Sequence, residues 1–235
     1  MKITAGAVGG TPSEPGYDGK RILTKVRNWT DVKEHYTVRK KAHKQLIALL
    51  SAGEKDDFVE LLLGISNNIG NFSAAEHNLG PKILQHNVRA VAIAALFRFS
   101  KQVLLTRNAL DVPLLVRQAG LKYFSIGVGS ESSCMLNPTI CWVANTRTIW
   151  AHLVFKHNGD LTKANEELEL YRNENEVSEM AYKKWTAIHR IMKSDLIAIA
   201  REGSAIAKER AVVPGRVTYL WADAISNSFY EQYHR

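Results

Sequence analysis

Apolar residues recur at helical spacing through most of the chain. Between residues 30 and 51, Val32, Tyr36 and Leu46 fall near one face of a predicted helix, and Gly53 ends it. Alternation of apolar and polar residues, which is typical of strands, appears over no useful length. The pattern therefore predicts an all-α protein.

The same spacing predicts the remaining helices and the loops between them. Further helices are expected over residues 54–65, 81–107, 111–123, 138–156, 161–172 and 176–210, followed by a last helix after Pro214. We expect the helix at 81–107 to be interrupted near His86 and Asn87. Trp185 is expected at a core position of the long helix at 176–210. Residues 67–80 and 127–137 are rich in Gly, Asn and Ser, which is typical of loops.

The loop at 127–137 is the predicted boundary between two helical lobes. We accordingly expect an all-α, two-lobed helical core with an extended N-terminal arm and a C-terminal helix. The predicted segments are the arm at 1–28, the N-terminal lobe at 29–128, the C-terminal lobe at 129–211, and the C-terminal linker and helix at 212–235. The arm is dense in Gly and Pro, so it is either a disordered terminus or a segment that docks on another subunit.

Charge is distributed unevenly along the chain. The formal net charge is +8 and the sequence pI is about 9.4, which favours anionic partners. Residues 86–128 hold six Lys or Arg against one acid, whereas residues 159–180 hold two against seven. A cluster at Arg39, Lys40, Lys41 and Lys44 is predicted to be a solvated helix face. These opposed blocks suggest that one surface binds a polyanion and that the other meets a basic surface of a neighbouring subunit.

Motifs for catalysis, metal binding or membrane insertion are lacking. Two cysteines are too few for a disulfide scaffold, and we expect neither a secretory signal nor a membrane span. Cys134, Cys141, His152 and His157 lack the spacing of a metal site. The carboxylates near Glu166 fit the exposed face of an amphipathic helix. We predict no catalytic residue, cofactor, metal or small-molecule substrate, and thus no enzyme.

The apolar stretch 87–124 carries the cations that suggest RNA binding. The candidate RNA-binding residues are Arg89, Arg98, Lys101, Arg107, Arg117, Gln118, Lys122 and Tyr123. On a continuous helix at about 100° per residue, Arg89 and Arg107 share one face, whereas Arg98 and Lys101 lie towards the other. They therefore do not all contact one strand. Aromatic residues beside the cations suit base stacking, although each one taken alone fits a core position better.

Residues 113–125, PLLVRQAGLKYFS, resemble a short helical segment in coat proteins of flexuous filamentous plant RNA viruses. Nucleoproteins of segmented negative-strand RNA viruses have a loosely similar segment. The similarity covers about a dozen residues, and the Phe-Asp-Phe signature of the plant coat proteins is absent. The resemblance implies a basic groove for single-stranded RNA, with Arg117, Gln118 and Lys122 in it, and arms that pack on adjacent subunits.

These observations lead to two hypotheses of different classes. The first is a nucleocapsid or coat protein of the virion and host cytoplasm, which binds single-stranded RNA largely independently of sequence and polymerises into a helical or ring-like ribonucleoprotein. Its predicted oligomerisation residues are Tyr17, Ile22, Leu220, Trp221, Ile225 and Phe229. The alternative is a cellular all-helical adaptor or regulator that binds an acidic protein or a membrane surface.

Overall fold

A computed structural model describes residues 18–65, 70–171 and 178–234 of the chain. Within these ranges all regular structure is helical, so the predicted all-α class is confirmed. Most of the predicted arm, including Tyr17, lies outside the described residues.

Thirteen α-helices follow one another in the described ranges. They are α1 Gly19–Leu23, α2 Trp29–Ala52, α3 Lys55–Leu62, α4 Phe72–Glu76, α5 Leu79–His86, α6 Arg89–Leu105, α7 Val112–Ala119, α8 Ile126–Leu136, α9 Thr146–Lys156, α10 Leu161–Glu169, α11 Ser178–Ile191, α12 Lys193–Glu209 and α13 Thr218–His234. A 3-10 turn, Ala109–Asp111, leads into α7.

Two hydrophobic clusters form the core. The first joins α1, the N-terminal half of α2, α9, α10, α12 and α13, whereas the second joins the C-terminal half of α2 to α3, α5, α6, α7 and α8. The long helix α2 therefore runs through both. The first cluster combines residues 22–36 with residues 142–229, so it is not confined to the predicted C-terminal lobe.

The predicted flexible connection at 127–137 is wrong, because residues 127–136 belong to the largely buried helix α8. Their small side chains allow close helix packing rather than flexibility. At Gly129 an added Cβ would overlap the side chain of Val116 on α7. The composition of this segment is therefore explained by the tight contact of α7 with α8.

Several predicted helix boundaries also differ from the structure. Residues 138–145 are not helical, and α9 begins at Thr146 behind a capping box that Asn145 makes with Thr148. The helix predicted at 176–210 is divided between α11 and α12 at Met192. The interruption after His86 is confirmed, since α5 ends there. Gly120, with a φ of 66°, ends α7 earlier than predicted.

The predicted oligomerisation residues that the structure describes lie in the core of their own chain. Ile22, Leu220, Trp221, Ile225 and Phe229 are all buried in the first cluster. Each apolar side chain already has intramolecular partners: Trp221, for example, packs edge-on against Tyr36. These side chains are therefore not available on the surface to join a neighbouring subunit, and that prediction is wrong for these five residues.

A buried ionic network ties α2 to α8 and α13. Arg39, predicted on a solvated face, is fully buried, and its guanidinium lies 2.5 Å from Glu131 and 3.0 Å from Asp223. Burial by itself lowers the pKa of Arg39, but these two carboxylates outweigh it and raise the pKa. The network explains why a glutamate is tolerated within the buried helix α8.

Candidate nucleic-acid interface

A cavity of about 670 Å³ lies between α7, the turn that follows it, the start of α8, and α11. Its wall includes two of the predicted RNA-binding cations, Arg117 and Lys122, and the predicted stacking residue Tyr123. Tyr182 and Trp185 of α11 form the opposite side. We call this cavity the α7–α11 groove.

The turn that presents Lys122 and Tyr123 is fixed from two sides. The Asn87 side chain accepts a hydrogen bond from the Lys122 N–H at 3.2 Å and donates one to the Lys122 carbonyl at 3.3 Å. Phe124 is buried edge-on against Phe99 of α6. Tyr123 adopts a left-handed φ of 68°, which is uncommon for a bulky residue. The strained backbone leaves the Tyr123 ring half exposed beside the groove while its neighbour anchors the turn.

Cations and aromatic rings alternate around the groove. The Arg117 guanidinium lies 4.8 Å from the centre of the Tyr182 ring, and the Lys122 ammonium lies 5.3 Å from the Tyr123 ring. No acidic residue is among the groove-lining residues that the structure describes. Neither cation has a carboxylate within 4 Å in the described ranges. Among the described residues, the groove therefore presents two cations without a carboxylate partner beside flat apolar surfaces.

Trp185 differs from the other four tryptophans of the chain. Trp29, Trp142, Trp150 and Trp221 are buried, whereas Trp185 is partly exposed in the groove. It also packs against both hydrophobic clusters. A ligand that stacks on Trp185 would therefore change the fluorescence of the one tryptophan that is accessible to it.

The remaining predicted RNA-binding residues do not line the groove. Arg89 lies 2.9 Å from Asp56 and 3.6 Å from Glu60, so its charge is offset by α3. Arg98 and Lys101 are exposed on the outer side of α6, and Arg107 is exposed in the turn that follows it. Gln118 is exposed on α7 next to Arg117 but is not part of the cavity wall. Of the eight predicted RNA-binding residues, only Arg117, Lys122 and Tyr123 therefore lie together at the α7–α11 groove.

Sequence reasoning missed the contribution of α11 to this site. Trp185 was expected only as a core position, and Tyr182 was not singled out. A signal was nevertheless present, because Lys183 and Lys184 lie between these two aromatic residues. The same juxtaposition of cation and aromatic residue marks Lys122 and Tyr123, about sixty positions earlier.

A second cavity, of about 300 Å³, has the opposite character. It lies between α2, α4, α9 and α13, and Arg147 is its cation. This guanidinium is 2.8 Å from Glu76 and 2.8 Å from Glu231. Burial lowers the pKa of Arg147, but the hydrogen bonds to these carboxylates outweigh it, so the pKa is raised. Because the charge is already compensated, this cavity is a poor site for an anion.

The residues considered for a metal site are engaged elsewhere. His152 pairs with Asp195 at 2.6 Å and His157 with Glu167 at 2.7 Å, while both cysteines are buried. Burial raises the pKa of the Cys141 thiol to about 12, which disfavours the thiolate form that metals bind. In the described part of the chain, no group of three His, Cys, Asp or Glu residues has the arrangement of a metal site.

No helix among the described residues has the length and apolar character needed to cross a membrane. Comparison of the whole chain with protein-family models, curated proteins and solved structures finds no match in any of the three.

Proposed function

We propose that this protein binds single-stranded RNA in the α7–α11 groove and packages it as a nucleocapsid or coat protein. One observation carries the proposal. The groove combines two cations, Arg117 and Lys122, with four aromatic side chains, and its described lining contains no acid. Nonspecific binders of single strands combine a positively charged groove with aromatic stacking surfaces in this way.

Each part of the groove has a distinct role in this proposal. Arg117 and Lys122 bind backbone phosphates, which are present at every nucleotide. Tyr123, Tyr182 and Trp185 stack on bases, and every base has a face that suits an aromatic ring. Binding is therefore largely independent of sequence and weakens steeply with salt. Duplex RNA keeps its bases paired and stacked, so it cannot use the aromatic side of the groove.

Packaging also requires that copies follow one another along the strand, in a helical or ring-like ribonucleoprotein. The net charge of +8 supports this role, because each copy offsets several phosphates of the RNA that it covers. A protein with this activity acts in the virion and in the host cytoplasm. The proposal involves no cofactor and no catalytic step.

Tryptophan fluorescence tests the proposal directly. Nuclease-treated protein is titrated with short single-stranded RNAs of different sequence and with a duplex of equal length. We expect similar quenching by each single strand, weaker binding of the duplex, and loss of most of the signal in Trp185→Phe. A Tyr182→Ala variant should bind more weakly, since base stacking contributes about 1–3 kcal/mol per base.

Two results would overturn the proposal. One is the absence of any fluorescence change on adding RNA at low salt. The other is equal binding of duplex and single strand with Trp185 unaffected, which would indicate only general attraction between a basic protein and a polyanion. Binding to anionic vesicles in preference to RNA would favour the adaptor hypothesis instead.

A further inference from the structure

Ser125 lines the α7–α11 groove at the end of the turn that presents Lys122 and Tyr123. Among the groove-lining residues that the structure describes, it carries the one aliphatic hydroxyl group. Every other polar side chain in this wall is a cation or has its polar atom on an aromatic ring. Ser125 thus adds a small, uncharged hydrogen-bonding group to a wall of cations and rings.

The hydroxyl of Ser125 is available to a ligand. Ser125 is exposed, and its side chain makes no hydrogen bond within the described part of the chain. A serine that precedes a helix usually accepts a hydrogen bond from the first helical turn, but Ser125 makes no such bond to α8. Its carbonyl instead accepts the Gly129 N–H at 2.8 Å. Ser125 therefore begins α8 through its backbone, and its hydroxyl has no structural task.

The side chains beside Ser125 indicate which part of a bound nucleotide it faces. Lys122, Tyr123 and Ser125 are exposed, whereas Phe124 between them is buried. This turn therefore presents a cation, an aromatic ring and a hydroxyl in succession. In the proposed function the cations bind phosphates and the accessible rings stack on bases. The sugar joins base to phosphate in every nucleotide, so a hydroxyl set among these groups faces the sugar.

We propose that Ser125 forms a hydrogen bond with the ribose 2′-hydroxyl of the bound strand and thereby makes the groove prefer RNA to DNA. A serine hydroxyl both donates and accepts, as the 2′-hydroxyl does, so the two groups can bond in either direction. The 2′-hydroxyl is the group by which a protein distinguishes RNA from DNA. The inference rests on the proposed binding of single strands in the groove.

Two other parts of a nucleotide could accept a hydrogen bond from Ser125, and each predicts a different pattern of affinities. A phosphate contact would strengthen the binding of RNA and DNA equally, because both carry phosphates. Phosphates also bond more strongly to the charged Arg117 and Lys122 than to a neutral hydroxyl. A contact with a base edge would produce a preference among sequences rather than between sugars.

Fluorescence anisotropy with strands that differ only in the sugar tests the proposal. RNA, DNA and 2′-fluoro RNA of one sequence of A and C are compared, each short enough to hold one copy of the protein. This sequence avoids the difference between uracil and thymine, and 2′-fluoro RNA keeps an RNA-like sugar conformation but cannot donate a hydrogen bond. Wild type should bind RNA roughly 2- to 10-fold more tightly than either other strand, as one neutral hydrogen bond contributes.

Substitutions at Ser125 identify the group responsible. Ser125→Ala should bind DNA as wild type does and should bind RNA no more tightly than DNA. Ser125→Thr keeps the hydroxyl and should keep the preference for RNA. Tyr123→Phe and Tyr182→Phe are matched controls, since each removes the hydroxyl of a groove ring but keeps its stacking surface, and both should keep the preference. Circular dichroism verifies that every variant keeps its helical content.

Several results would overturn the proposal. Equal affinity of wild type for the three strands would do so whether or not any variant folds. Preference for RNA that persists in Ser125→Ala would also do so, as would a parallel loss of RNA and DNA affinity in that variant. Loss of the preference in Tyr123→Phe or Tyr182→Phe would assign it to that ring instead. Absence of binding to any strand would contradict the proposed function itself, on which the inference rests.

Discussion

Replacement of Arg39 with Met should destabilise the fold strongly, because it breaks the ionic network that joins α2, α8 and α13. Arg39 is 1% exposed, and its guanidinium donates to Glu131, Asp223 and the Gly70 carbonyl. Its face also lies 4.4 Å from the Phe72 ring. Methionine fills much of the same space but leaves both carboxylates without their cation.

The magnitude follows from the two carboxylates that lose their partner. Glu131 is completely buried and Asp223 nearly so, which means that water cannot replace the guanidinium. Removal of one partner from a buried ion pair costs about 3–5 kcal/mol. Glu131 keeps its hydrogen bonds from Ser73 and the Phe72 N–H, so the lower part of this range applies to it. For a protein of this length we expect the melting temperature to fall by roughly 10 °C.

Urea unfolding and thermal denaturation, both followed by circular dichroism, measure this loss. Lys40→Met is the matched control, since it removes the same charge from the adjacent, exposed position of α2. Its unfolding free energy should change by less than about 0.5 kcal/mol. Adding Glu131→Gln and Asp223→Asn to Arg39→Met should recover part of the stability, because no buried charge then lacks a partner.

Equal stability of Arg39→Met and Lys40→Met would contradict a stabilising role for the buried ion pairs. So would a further loss of stability when the two carboxylates are neutralised in Arg39→Met. Either result would mean that the buried ions contribute through packing alone.

Two further predictions concern packing and pH. Burial lowers the pKa of His189 from 6.5 to about 4, so the folded state resists protonation and stability falls as the pH drops from 6.5 towards 4. His189→Phe can keep the stacking on Trp142. Between pH 7 and pH 4.5, its unfolding free energy should therefore fall by about 2–3 kcal/mol less than that of the wild type. An identical fall in urea titrations of both proteins would contradict this. Gly129→Ala should lower the unfolding free energy by about 1–3 kcal/mol, because the added methyl group overlaps Val116. Gly127→Ala should lower it less, because the space at that position is open. Equal melting temperatures of the two variants would show that α7 and α8 can separate freely.

The fold class and most helices follow from the spacing of apolar residues alone. The interruption at Asn87 and the left-handed cap at Gly53 were visible in the sequence because local chemistry determines them. The buried helix α8 was not, because glycine and serine are common both in flexible linkers and at close helix contacts. Only the position of Val116 on a neighbouring helix distinguishes the two.

Predictions of which side chains are exposed were also wrong where contacts between distant parts of the chain decide burial. Arg39 has the same local sequence context as Lys40 and Lys41, yet it alone is buried, because Glu131 and Asp223 meet it from distant parts of the chain. Trp221 and Phe229, on the C-terminal helix, were predicted to join subunits. α13 instead packs extensively on α2, α9 and α12, which stabilise it.

The candidate site was predicted in part. Arg117, Lys122 and Tyr123 are close in sequence, so their juxtaposition was predictable from a short stretch. Tyr182 and Trp185 join them only because α11 packs beside α7. Arg89 was separated from this set by its ion pairs with α3, which no pattern within its own helix reveals.

The most direct test of RNA binding in the α7–α11 groove compares two variants that lose equal charge. Arg117→Gln with Lys122→Gln changes the groove, whereas Lys40→Gln with Lys44→Gln changes an exposed face of α2. The measurement is the affinity for a short single-stranded RNA, by fluorescence anisotropy, as a function of salt.

For the groove variant we expect affinity to fall about 10- to 20-fold near 0.15 M salt, and the slope of log affinity against log salt to decrease by about 1.4, as loss of two phosphate contacts requires. The α2 variant should change both quantities far less. The opposite ranking, or an equal small loss in both variants, would contradict the assignment of RNA binding to the groove.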